Sequence, residues 1–80
     1  MPTLLKIKGL RFYFWSKDHR PMHVHIEEGK GGATAKVEIE PDIRVVEVQG
    51  FSKGDMRKIL KICKQAKEDF QAAWEEYFND

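Results

Sequence analysis

The chain has 80 residues, 34% of them charged, yet the charges nearly cancel to a net +1. That length suits one small domain spanning 1–80 with a modest core, and the balance of signs points to neither a nucleic-acid nor a membrane partner by bulk electrostatics. The one cysteine, Cys63, excludes an internal disulfide and any Cys-based zinc site.

Small secreted domains are usually disulfide-rich, so a reducing, cytoplasmic setting is expected. The start, Met-Pro-Thr-Leu-Leu-Lys-Ile-Lys, has no basic region followed by a long apolar run, as a signal peptide would. No run approaches membrane-spanning length, so no membrane partner is expected.

Taken in order, Thr3 to Lys8 and Arg11 to Ser16 read as a strand pair joined through Gly9-Leu10. The first places Leu5 and Ile7 on one face and Leu4, Lys6 and Lys8 on the other. The second is aromatic, with Phe12 and Phe14 on one face and Tyr13 and Trp15 on the other, a composition suited to a pleated surface. Lys17 to Pro21 is a polar loop, in which Asp18 bonds local backbone and Pro21 keeps Arg20 out of helix.

Met22 to Glu28 is a strand in which His23, His25 and Glu27 alternate with Val24 and Ile26. Side chains on a strand point alternately to opposite faces. The apolar pair belongs to the core, and both histidines belong to the outer face. Gly29-Lys30-Gly31-Gly32 reads as a flexible turn, since no P-loop pattern is present and no helix follows.

Ala33 to Glu40 alternates strictly, with Ala33, Ala35, Val37 and Ile39 inward. Pro41-Asp42 makes the next turn. Ile43 to Gln49 is a further strand whose alternation breaks midway. A bulge between Val45 and Val46 would turn Ile43 and Val45, and also Val46 and Val48, toward the core.

Ser52, with Asp55 three residues on, resembles a capping box at a helix start. Met56, Ile59, Leu60, Cys63, Ala66, Phe70, Ala73, Trp74 and Tyr77 then form an apolar stripe at helical spacing. A helix over roughly 53–78 is about 38 Å long, whereas a strand of six or seven residues covers about 20 Å. Trp74, Tyr77 and Phe78 are therefore expected to overhang the sheet, wrapping its end or meeting a partner. Lys53, Arg57, Lys58, Lys61, Lys64 and Lys67 load the first part of this helix, and Glu68, Asp69, Glu75, Glu76 and Asp80 load its end. Both placements oppose the helix dipole. The expected fold class is α+β: an antiparallel meander of four to five strands over roughly 3–49, with one long C-terminal helix packed on one face.

All three histidines fall between Asp18 and Glu27. The run Asp18-His19-Arg20-Pro21-Met22-His23-Val24-His25 resembles the signature of a small bacterial family, domain of unknown function 4160. That signature is an acidic or amide residue followed by His-x-Pro-Pro-His-aromatic-His, with a hairpin and a C-terminal helix ending in a Trp, where Trp74 falls. Here Met22 replaces the second proline and Val24 the aromatic. Ala66 and Ile62 stand near an expected helical histidine and tryptophan. The resemblance implies a cytoplasmic bacterial or phage-borne protein of this fold, from genes that often look like halves of toxin–antitoxin-type pairs.

The residues themselves support three chemistries. His23 and His25, with His19 from the preceding loop, form a candidate His₃ metal set suited to zinc, with Asp18 or Glu27 as a supporting or fourth ligand. The same histidines could act as base and acid on a phosphodiester, with Arg20 or Lys36 stabilising charge. Tyr13, Trp15, Lys36 and the histidines could instead bind single-stranded bases or a protein partner, with Trp74 at the helix end as a further contact. Opposed to all three is a structural role, in which Asp18 and His19 stabilise the turn and His23 and His25 make cross-strand pairs. Cys63 lies on the inward stripe and is expected to be core. The first reading is an interaction module of a toxin–antitoxin-like or regulatory pair, partnered by another protein or by its own copy. The alternative is a histidine-based, ribonuclease-like phosphodiester hydrolase using His19, His23 and His25, with or without the help of a metal.

Overall fold

The computed structural model describes residues 3–30 and 32–78. Five antiparallel strands form one open sheet in sequence order: β1 (Thr3–Ile7), β2 (Leu10–Tyr13), β3 (His23–Glu28), β4 (Thr34–Glu38) and β5 (Arg44–Gln49). One helix follows, α1 (Lys53–Phe78). The expected α+β meander with a single long helix is the observed fold. Of the residues read from sequence as turn or helix-end charge, Gly31 and Asp80 lie outside the described residues.

The first hairpin turns at Lys8 and Gly9, with φ of 52° and 79°, and Leu10 pairs with Ile7 as the first residue of β2. Two successive positive φ values match the right-handed twist of the flanking strands. The turn thus sits one residue earlier than the Gly9-Leu10 connection read from the sequence. A register shift between Thr3 and Leu5 lets both Leu4 and Leu5 pack against the core, so the strict alternation expected of β1 does not hold there.

The alternation in the central strands does hold. Phe12, Val24, Ile26, Val37 and Ile39 are fully buried, and they lie against Met56, Ile59, Cys63, Phe70 and Trp74 of α1. Burying each such aliphatic or aromatic side chain is worth about 1.5–3 kcal/mol. The helix start is capped as its sequence suggests. Asp55 N–H donates to Ser52 Oγ (3.0 Å), and Ser52 N–H donates to Asp55 Oδ2 (3.1 Å). Near its other end, Gln71 Nε2 donates to the Ile39 carbonyl at 2.6 Å, fastening the helix to the segment after β4.

β5 departs from expectation. The bulge is present, because Lys36 pairs with Glu47 while Val37 pairs with Val45. It does not bring the valines into the core: Val45, Val46 and Val48 are 37%, 39% and 41% exposed. A single helix laid over the central strands is too narrow to shelter the outermost one.

The helix end wraps the sheet rather than projecting from it. Trp74 is buried and meets Phe14 edge-on, ring centroids 5.1 Å apart, while Tyr77 stays exposed. Trp74 is therefore core, not the free contact residue anticipated on an overhanging helix. Among the described residues, no helix is long and apolar enough to cross a membrane.

Candidate metal centre

Where β2 ends and β3 begins, the chain loops out and returns. That loop is closed by Asp18. Its backbone N–H donates to the Trp15 carbonyl (3.1 Å), and its carboxylate accepts the Trp15 N–H at Oδ2 (2.9 Å). Short polar side chains favour such local bonds. The result is a tight turn that throws the Asp18 carboxylate back across the outer face of β3.

There the carboxylate meets both strand histidines. His25 Nε2 lies 3.1 Å from Oδ2 and 3.2 Å from Oδ1, and His23 Nε2 lies 3.2 Å from Oδ1. One ligand atom from each of Asp18, His23 and His25 falls within 4.8 Å of the others. His19, one residue beyond Asp18, is exposed and stands outside this group. The candidate His₃ set of the sequence is thus replaced, in geometry, by two histidines and an aspartate. The reason is local: the turn aims Asp18 at the strand, and its chain neighbour leads away.

The two imidazoles differ. His23 Nδ1 lies 2.9 Å from the Pro21 carbonyl, which can only accept, so Nδ1 carries the proton and a neutral ring presents its lone pair at Nε2. That Nε2 is buried and makes no directed hydrogen bond, although the Asp18 oxygen is near. His23 itself is 5% exposed, packed between His25 (5.1 Å) and Trp74 (5.3 Å). The strand pattern assigns it to the outer face, and the returning loop and the helix end bury it there. An unpartnered polar atom at such a place costs about 1–3 kcal/mol.

His25 stacks on Tyr13, with centroids 5.4 Å apart, and meets Trp15 edge-on at 6.1 Å. Burial pushes the His25 imidazole below its ordinary value, against the opposing pull of the Asp18 carboxylate. For Asp18, burial acts to raise the carboxyl. The Trp15 N–H, the His25 hydrogen bond and the two nearby imidazoles outweigh it and hold the group below its usual range. At neutral pH the cluster therefore offers a carboxylate and an uncharged His25.

Beside the cluster, a groove of about 340 Å³ opens on the outer face, lined by Tyr13, Trp15, His25, Thr34, Lys36 and Glu47 among others. Trp15, 47% exposed, forms its wall, and Tyr13 is buried under the stack of Trp15, His25 and the Arg11 guanidinium. Lys36 sits directly across from His25. Arg20 lies elsewhere: it contacts Glu75 of α1 (3.2 Å) and Glu40 (3.7 Å), tying the loop to the helix. A larger hollow of about 510 Å³ is lined by Ile7, Leu10, Phe51, Lys58 and Lys61, near the start of α1, and it contains no histidine.

Two contributors were not visible beforehand. The Pro21 carbonyl is a backbone group, and Glu40 accepts the Met22 N–H at 3.1 Å from 18 residues away. Neither position carries a local signal for such a role. Asp18 did carry one, as the acidic residue of a short turn directly before the histidine strand.

The sequence pattern of the family described as "Domain of unknown function (DUF4160)" matches residues 9–75, which covers most of the chain and all of the cluster, so the protein belongs to that family. No curated protein and no solved structure gave a significant match.

Proposed function

We propose that this DUF4160 protein binds a zinc-class divalent ion through Asp18, His23 and His25 and uses it for metal-assisted hydrolysis, with phosphodiesters as the substrate class. The observation that carries the reading is the buried Nε2 of His23, which in the neutral ring is left as the lone-pair nitrogen by the Pro21 carbonyl and lies 3.2 Å from the Asp18 carboxylate. Metal-ligating histidines commonly donate their other N–H to a carbonyl in this way. The spans of 3.1–3.2 Å from each histidine nitrogen to a carboxylate oxygen match the ligand separations around one ion, and all three groups offer ligand atoms within 4.8 Å of one another. Bonds of about 2.0–2.1 Å at tetrahedral to octahedral angles need separations of about 2.9–3.4 Å.

With three protein ligands, a bound ion would retain an open position and would supply Lewis acidity and an activated water. The chain's own residues do the rest. The Pro21 carbonyl and the Trp74 ring hold His23 in place. The Asp18 turn sets the carboxylate, and His25 joins the cluster to the groove. Lys36, facing that groove, places a cation where a phosphate oxygen would lie. Trp15 offers a flat apolar wall for a base or another planar group.

The test is turnover of bis(p-nitrophenyl) phosphate and of a short single-stranded RNA by chelator-treated protein, with zinc or manganese added back. Metal-dependent turnover that falls at least a hundredfold in His23→Gln and Asp18→Asn, and persists in His19→Ala, is the expected result. Absence of turnover with either metal, or turnover indifferent to these substitutions in folded protein, contradicts the hydrolytic reading.

A second reading is an interaction module of a regulatory or toxin–antitoxin-like pair. It is favoured by the exposed apolar side chains Trp15, Val45, Val46, Val48 and Tyr77. On that reading Trp15→Ala loses a binding partner, and there is no turnover to lose.

A further inference from the structure

Among the described residues the sheet has two edges, β1 and β5, and they are built differently. β1 carries Lys6, and Lys8 follows in the turn; lysines on an edge discourage pairing with another strand. β5 reads Arg-Val-Val-Glu-Val-Gln, has neither lysine nor proline, and is exposed along all six residues. Its outward N–H and C=O groups are a template for a further strand.

The side chains of β5 are sorted between the two faces. Val45 and Val48 pair with Val37 and Ala35, which face the helix. Arg44, Glu47 and Gln49 pair with Glu38, Lys36 and Thr34 on the opposite face. The valines thus extend the apolar face of the sheet beyond the shelter of α1.

We infer that β5 is a homodimer edge, on which a second copy of this chain adds its own β5 antiparallel about a two-fold axis between Val46 and Glu47. That register sets Val45 opposite the partner's Val48, and Val48 opposite the partner's Val45, both on the helix-covered face. On the other face Arg44 lies opposite the partner's Gln49 and diagonal to the partner's Glu47. Diagonal neighbours across strands are about 7–8 Å apart, within reach of long side chains. The two-fold axis repeats each contact, giving two valine pairs and two Arg–Glu pairs; the two Glu47 side chains lie beside the axis, each offset by the partner's Arg44 and by Lys36 across from it on β4. Arg44 already contacts Glu38 at 2.9 Å and would lie between two carboxylates. Each copy's β1 edge is guarded by lysines. The assembly therefore closes at two rather than growing into a fibre.

Sedimentation equilibrium of the full chain tests this, with circular dichroism confirming that each variant is folded. The wild type is expected at twice 9.4 kDa. Glu47→Arg faces Arg44 with a like charge and leaves the Arg44–Glu38 contact intact; it should weaken the dimer at least tenfold. Arg44→Glu should do the same, and the double exchange Arg44→Glu with Glu47→Arg should restore association. A wild type monomeric at about 1 mM overturns the inference, as does a dimer insensitive to both single changes or a folded double variant that stays monomeric.

Discussion

His23 is tied at Nδ1 to the Pro21 carbonyl, 2.9 Å away, and this one contact decides what the opposite ring nitrogen can do. A carbonyl accepts and never donates, so Nδ1 carries a proton and, in the neutral ring, the lone pair falls to Nε2. That nitrogen is buried, undirected toward any donor, and beside the Asp18 carboxylate. A structural role of the cluster accounts for Asp18 and His25, which satisfy each other and the Trp15 N–H. It leaves His23 Nε2 with no directed hydrogen bond in the neutral ring, or with an ion pair to Asp18 at 3.2 Å in the charged ring; a bound cation would take the place of that second proton.

Trp74 backs the His23 ring and contacts Phe14 and Phe78, so its loss should be felt in both stability and site. Trp74→Ala is expected to cost about 3–5 kcal/mol in urea unfolding. Trp74→Phe should cost less and retain the fold. An unchanged midpoint for Trp74→Ala would show that the helix end is not packed as described.

The capping box at Ser52 and Asp55 gives a smaller effect. Ser52→Ala removes the acceptor for the Asp55 N–H and should lower stability by about 1 kcal/mol. Asp55→Asn keeps a side-chain oxygen able to accept the Ser52 N–H, so it should cost less than Asp55→Ala. Chemical denaturation of the three variants beside wild type checks the order.

Cys63 is fully buried, and burial pushes its thiol up to about 12 from the ordinary 9.0. The folded state thus favours the neutral thiol, while the unfolded chain ionises first. The associated stability is fully present below pH 9 and is lost as pH rises through about 12. Between about pH 8 and 11, stability should fall more steeply for wild type than for Cys63→Ala. A maleimide at neutral pH should label Cys63 only after unfolding; rapid labelling of the native protein would contradict its burial.

The central strands and the helix were legible because period two and period 3.6 are enforced by burial: Val24, Ile26, Val37 and Ile39 mark one sheet face, and Met56, Ile59, Cys63 and Phe70 one helix face. The Ser52–Asp55 cap was legible because its partners are three residues apart. The edges were not. How far α1 shelters β5 depends on where the helix lies, which a strand's own alternation does not encode. The site was half legible. The His-x-His spacing named two members, but choosing between Asp18 and His19 required the Trp15 turn, and the fixing of His23 rests on a backbone carbonyl. The burial of Trp74 required the helix to end over the loop rather than beyond it.

The most direct measurement is zinc titration followed by the imidazole ¹H–¹⁵N signals, on wild type, His23→Ala, Asp18→Asn and His19→Ala. One-to-one binding, micromolar or tighter, is expected to shift His23 and His25 with Nε2 as the ligating nitrogen of His23, to fail in His23→Ala and Asp18→Asn, and to survive in His19→Ala. Scattered millimolar shifts, or binding that needs His19 and ignores Asp18, would contradict it.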